Sequence, residues 1–161
     1  VRIFLDTAFW LAHEAGRPDL AEEVLLCAQV ENPYNYQIQL DRGRVFLMEK
    51  KIAKAKSAFN AGLAFWPGRE KADTYETLDG KARLLLFLAL IHEAEANRTE
   101  AISCLREILR IFPKRTAVRD RIKDLEEGKE PSLLASRILG DMIEHDRDKI
   151  TGEHCKHPGE E

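Results

Sequence analysis

Two histidines, His13 and His92, are each followed by Glu and Ala. An imidazole beside a carboxylate is the pair that general acid–base catalysis uses. Three shared residues in a chain rich in Glu and Ala specify no site, however, and a structural or surface role is adopted for both. Near the end, His154, Cys155 and His157 bring three metal-ligating side chains together. Three ligands on a segment with little apolar content fall short of a zinc site, so no metal is assigned. The carboxylates of Asp19, Glu22 and Glu23, and of Glu126 and Glu127, cluster where helix starts and polar faces are expected, and the helix dipole and solvation account for them. The sequence has no phosphate-cradling glycine loop, no HExxH, no GxSxG and no paired CxxC, the motifs whose mechanics would announce an enzyme. No catalytic residue and no cofactor is assigned, and the chain is read as a protein other than an enzyme.

The elements that would position these residues are helices. Ala, Leu, Glu, Lys and Arg dominate, while the 9 glycines and 6 prolines are grouped, a balance that favours α over β structure. At 161 residues the chain fits one domain. Its 25 basic and 28 acidic residues are intermixed for a formal charge of -3, leaving no long single-sign field to capture phosphates or a membrane surface. Nucleic acid is therefore not expected as a partner. Even the apolar run that contains Leu84 to Leu90 is far short of a membrane span, so membrane insertion is not expected either. Cys27, Cys104 and Cys155 are an odd number at no metal-finger spacing, and the first two fall within helical patterns. That usage suits a reducing, cytoplasmic setting. The sequence starts at Val1 without a leader and reads as an excised domain or a processed chain.

An internal period organises the chain. Ala21, Leu25, Ala28 and Pro33 recur 34 residues later as Ala55, Phe59, Gly62 and Pro67, and 46 residues after that as Ala101, Leu105, Ile108 and Pro113. The uniform second shift implies one insertion of 12 residues within about 68–80. Each unit is explained as two antiparallel helices, in which the small residue permits close approach, the larger one fills the gap between units and proline ends the second helix. The turns are placed at Glu14 to Pro18, where Gly16 suits a left-handed helix end, at Lys50 to Ile52, and at Asn97 to Thr99, with Thr99 as N-cap.

The segments DLAEEVLLCAQVENP, IAKAKSAFNAGLAFWP and RTEAISCLREILRIFP resemble the second helices of tetratricopeptide repeats, over about residues 2 to 113. The family's small first-helix residue is matched by Gly43 and Ala89, with Phe9 in that place in the first unit and Ala8 beside it. The resemblance implies an all-α, right-handed solenoid of three helical hairpins, about 2–35, 36–69 and 82–115. The residues at Tyr75, Leu78, Ala82, Leu85, Ala89 and His92 step by three and four, so the insertion is expected to lengthen the third unit's first helix. From about Asp73 to Ala96 that helix would be about 35 Å long and overhang its neighbours by about three turns. Two capping helices are expected at about 116–127, on the stripe Val118, Ile122 and Leu125, and at about 132–149, opened by Pro131 and Ser132. Residues 1–149 form the domain, and 150–161 form a flexible tail.

The resemblance also implies a groove lined by the first helices, with a function in binding another protein. Alignment by the 34 and 46 shifts places Asp6, Trp10 and His13 in it from the first unit, Leu40, Arg44 and Leu47 from the second, and Leu86, Leu90 and Glu93 from the third, with Arg83 beside them. A groove of this largely apolar character matches a peptide or amphipathic helix. The alternative is that the helix from Ser132 fills it as a displaceable lid. Some relatives clamp acidic chaperone tails with cations. Here Asp6, Trp10, Asp41, Arg83 and Phe87 stand at those places, and two aspartates would repel a carboxylate. Two other roles remain open: a homodimer built on the overhanging helix or on the Leu134 to Ile143 stripe, and, from the resemblance, a secretion-type chaperone that shields an apolar segment of a partner.

Overall fold

Helix ends in this chain are set by local hydrogen bonding. In a computed structural model, residues 1–66, 74–138 and 140 are described, and among them every regular element is an α-helix. The helices are α1 (Arg2–His13), α2 (Pro18–Glu31), α3 (Tyr36–Met48), α4 (Ile52–Ala64), α5 (Tyr75–Ala94), α6 (Arg98–Ile111) and α7 (Thr116–Glu126). Residues 133–138 are helical again. Asn35 caps α3 by accepting the Gln37 amide at 2.9 Å, and Thr74 caps α5 by accepting the Thr77 amide at 3.3 Å. Pro18 opens α2, where its missing N–H costs nothing. The cap of α6 is Asn97, whose side chain accepts the Glu100 amide. Thr99, expected in that role, lies inside the helix because the shorter turn starts it two residues earlier. Ile52 likewise belongs to α4 and not to the turn before it.

Three helix ends share one closing pattern. The Lys51 amide bonds Phe46 O, Asn97 bonds His92 O and Lys129 bonds Asp124 O, each reaching back five residues. The residue before each, Lys50, Ala96 or Gly128, has positive φ, which is the geometry of a Schellman end. The end of α1 differs. There Arg17 N bonds Leu11 O, six residues back, and four residues separate α1 from α2 where three separate α3 from α4 and α5 from α6. The first turn holds one extra residue, with Gly16 at φ +62.

That extra residue moves the register of α1 by one. Ala8, buried, stands where Gly43 and Ala89 stand, and Phe9 is exposed. Within the first helices the shift from α1 to α3 is therefore 35, whereas between the second helices it is 34.

Packing is between neighbours in sequence. Helices α1 and α2, α3 and α4, and α5 and α6 form antiparallel pairs, joined through α2 on α3, α4 on α5 and α6 on α7, while α3 also touches α1 and α5. The apolar interior lies in three pieces. Ala8, Ala12, Ala21 and Leu25 take in Val45 from α3. Phe46, Ala55 and Phe59 take in Leu84, Leu88 and Ile91 from α5, and with them Ala135 and Ile138. Ala89, Ala101, Leu105 and Ile108 take in Ile122 and Leu125 from α7. At 20 residues, α5 exceeds α6 by six, about 9 Å of extra helix. Its start at Tyr75 leaves the expected insertion only partly described, since residues 67–73 lie outside the described residues. The expected continuation of the last helix to 149 and the tail, with His154, Cys155 and His157, lie outside them as well.

Candidate functional site

Helix α3 touches both α1 and α5, and charged residues from all three act on Asp41. Burial raises the Asp41 carboxyl above its ordinary range, and the charges of Arg44, Arg83 and His13 all act to lower it. Arg44 donates to Asp41 Oδ1 at 3.0 Å. The same guanidinium lies over the Phe9 ring at 5.7 Å, and Phe9 in turn packs on His13 with ring centroids 4.5 Å apart. Of the residues named from sequence, Arg44 pairs with Asp41 directly, while His13 and Arg83 lie near enough for their charges to act on it.

Beside this cluster a cleft of about 340 Å³ opens between α3 and α5, lined by Tyr36, Gln37, Leu40, Tyr75, Glu76, Asp79, Gly80 and Arg83. Gly80 explains its floor. A Cβ there would lie 2.5 Å from Tyr36 Cε2, so any side chain at 80 would displace the phenol ring from its place against α5, and Trp66 packs on that ring with centroids 4.9 Å apart. Burial raises the Tyr36 phenol, and Glu76 and Asp79 act in the same direction, so the cleft offers a neutral O–H. The wall is an ion network in which Arg83 reaches Asp79 at 2.7 Å and Arg115, at the start of α7, reaches its other oxygen at 2.9 Å. The extra turns of α5 build this wall.

The other sequence-named residues divide. Leu86 is partly exposed and Leu47 half-buried. Asp6 is exposed, paired loosely with Arg2 at 3.9 Å. Three placements require correction. Trp10 does not face α3: the space between α1 and α3 is lined by Ala8, Phe9, Ala12, His13, Asp41, Arg44 and Val45, and the extra residue in the first turn puts Phe9 where Trp10 was expected. Leu90 is buried in the cluster that includes Ala135 and Ile138, so that end of the face is closed. Glu93, 4% exposed, is a structural carboxylate. It accepts from Arg121 at 2.6 and 3.1 Å and from the Ser132 amide at 3.1 Å, clasping α7 and the start of the last helix to α5. Leu40 is buried yet lines the cleft floor.

Phe9, Tyr36, Tyr75 and Asp79 belong to the site without having been named for it. Counting residues in the first turn would have found Phe9, and Gly80 within a helical pattern was the signal for a close neighbour such as Tyr36. Among the described residues no three His, Cys, Asp or Glu side chains gather to hold a metal ion, and no helix is long and apolar enough to cross a membrane. No family model, no curated protein and no solved structure matches the chain.

Proposed function

We propose that the three hairpins form a right-handed solenoid of the tetratricopeptide type and that the chain works by binding a segment of another protein, a peptide or amphipathic helix, along α1, α3 and α5. The observation that carries this reading is the convergence of His13, Asp41, Arg44 and Arg83 beside the cleft between α3 and α5. A solvated ion network next to an apolar floor gives a peptide both an anchor pocket and polar partners for its backbone. The bound segment lies over Phe9, the Asp41 cluster and Arg83, and stops short of Leu90, where Ala135 and Ile138 already pack. No chemistry is required of the chain itself.

The test is selection of peptides from a random library on the full chain, followed by affinity measurement. Arg83→Ala and Tyr36→Ala should each weaken selected peptides by about tenfold or more, the size of one lost charge-assisted hydrogen bond or buried ring, while Lys123→Ala on the far side of α7 should not. Selected peptides that bind all three variants equally would refute the assignment of this face, and failure to select any would refute the function.

A further inference from the structure

We infer that the outward side of α1, built on Ile3 and Trp10, is the docking surface for one further helical hairpin, whose second helix packs there as α2 packs on α3 and α4 packs on α5. This rests on the solenoid reading above. The argument comes from equivalent positions. With Ala8, Gly43 and Ala89 in register, Ile3 corresponds to Ile38 and Leu84, and Trp10 to Val45 and Ile91. In α3 and α5 these positions are sealed: Ile38, Leu84 and Ile91 are 0% exposed and Val45 4%. In α1 the same two positions are 80% and 56% exposed.

What seals three of them is also known. Val45 joins the cluster of Ala8, Ala21 and Leu25 from the preceding pair, and Leu84 and Ile91 join that of Ala55, Ala58 and Phe59. The contact is close: a Cβ on Gly62 of α4 would lie 2.8 Å from Leu84 Cδ2. The occupant is therefore defined by chemistry, as a helix pair whose second helix carries small residues spaced as Ala55, Ala58 and Gly62 are. A second copy of this chain cannot supply it head to tail, because the corresponding side of α6, at Leu105 and Ile108, is already covered by Ile122 and Leu125 of α7. The two ends differ accordingly: α7 faces water with Arg119, Asp120, Lys123 and Glu126 exposed, as a terminal cap must, whereas α1 exposes an isoleucine and a tryptophan.

The experiment grafts the chain's own α3–α4 pair, residues 36–65, ahead of Val1 through a copy of the connector 32–35. The host is the full chain with Trp66→Phe, and the graft lacks that position, so Trp10 is the only tryptophan. Docking moves Trp10 emission to shorter wavelength, lowers its quenching by acrylamide severalfold and raises Tm. Ile3→Asp removes that gain in the grafted chain and leaves Tm of the ungrafted chain nearly unchanged, since its side chain already lies in water. Trp10 that stays as accessible with the graft as without it overturns the inference. So does a graft that remains unfolded, because the same pair folds against α5 in this chain. An ungrafted chain that light scattering shows to be a dimer, and that Trp10→Asp dissociates, also overturns it by giving the face to a second copy. These readouts report on α1, and peptide binding is measured on the chain that keeps Trp66, so the peptide-binding reading stands or falls separately.

Discussion

The ring of Phe59 lies against the backbone of Gly43, in the space where any other residue would carry its Cβ. The same ring stacks on Phe87 with centroids 5.0 Å apart and planes within 5°. One aromatic side chain thus fixes both the α3–α4 crossing and the approach of α5.

Gly43→Ala should therefore destabilise the protein by about 1–3 kcal/mol, the usual cost of overpacking a filled core, although alanine gains about 1 kcal/mol of helix propensity over glycine. Urea unfolding of Gly43→Ala, Phe59→Leu and the double variant checks this. A smaller ring-free side chain at 59 should make the alanine cheaper, so the double variant should lose less than the sum of the two.

Glu93→Ala should cost about 2–4 kcal/mol, because it strands Arg121 and the Ser132 amide together in a mostly buried place. Arg121 is partly exposed, which keeps the cost below that of a fully enclosed pair. Hydrogen exchange gives the sharper readout: amides of residues 133–138 should lose protection well before those of α3 and α4. Equal loss everywhere would show that the carboxylate is no clasp.

His92 should make stability sensitive to mild acid. Burial, then the charge of Lys56, lowers its pKa below the ordinary histidine range, and among the described residues its Nδ1 makes no hydrogen bond, with the Glu95 carboxylate 3.6 Å away. The folded chain thus takes up this proton less readily than the unfolded one. The stabilising contribution of neutral His92 is complete above about pH 6.5 and is lost as pH falls from there toward the lowered folded value. His92→Gln should flatten the Tm profile between about pH 5 and 7 relative to the wild type. An unchanged slope would remove His92 as its source.

The two described cysteines should differ in reactivity. Cys27 is exposed, whereas Cys104 on α6 is half-buried and burial raises its thiol pKa. Because the thiolate is the nucleophile, iodoacetamide at pH 8 should modify Cys27 many times faster in a Cys155→Ser background. Peptide mass mapping of timed samples would show it.

Much of the helical plan was legible in the residues, since small and large apolar positions at fixed spacing report which faces must be covered. Ala21, Leu25 and Ala28 are buried with Ala55, Phe59 and Gly62, as their spacing required. The site was less legible. A fixed shift of 34 assumes equal turns, and one additional residue between Glu14 and Arg17 moved every α1 assignment, putting Trp10 in place of Phe9. Burial of Glu93 and Leu90 depends on the segment from Ser132 folding back onto α5, a long-range contact that no local spacing encodes. The Tyr36 floor escaped notice because glycine in a helical pattern reads first as a weakness in the helix and only in three dimensions as room for a ring.

Asp79 divides its two oxygens between Arg83, in the cleft, and Arg115, at the root of α7. A ligand that draws Arg83 away leaves the carboxylate to Arg115 alone, and a change at α7 returns through the same atom. Were a ligand to occupy the cleft through Arg83, its binding and the anchoring of α7 would be linked in free energy, each altering the other by an equal factor. Affinity there could then not be tuned without also tuning how firmly α7 is held.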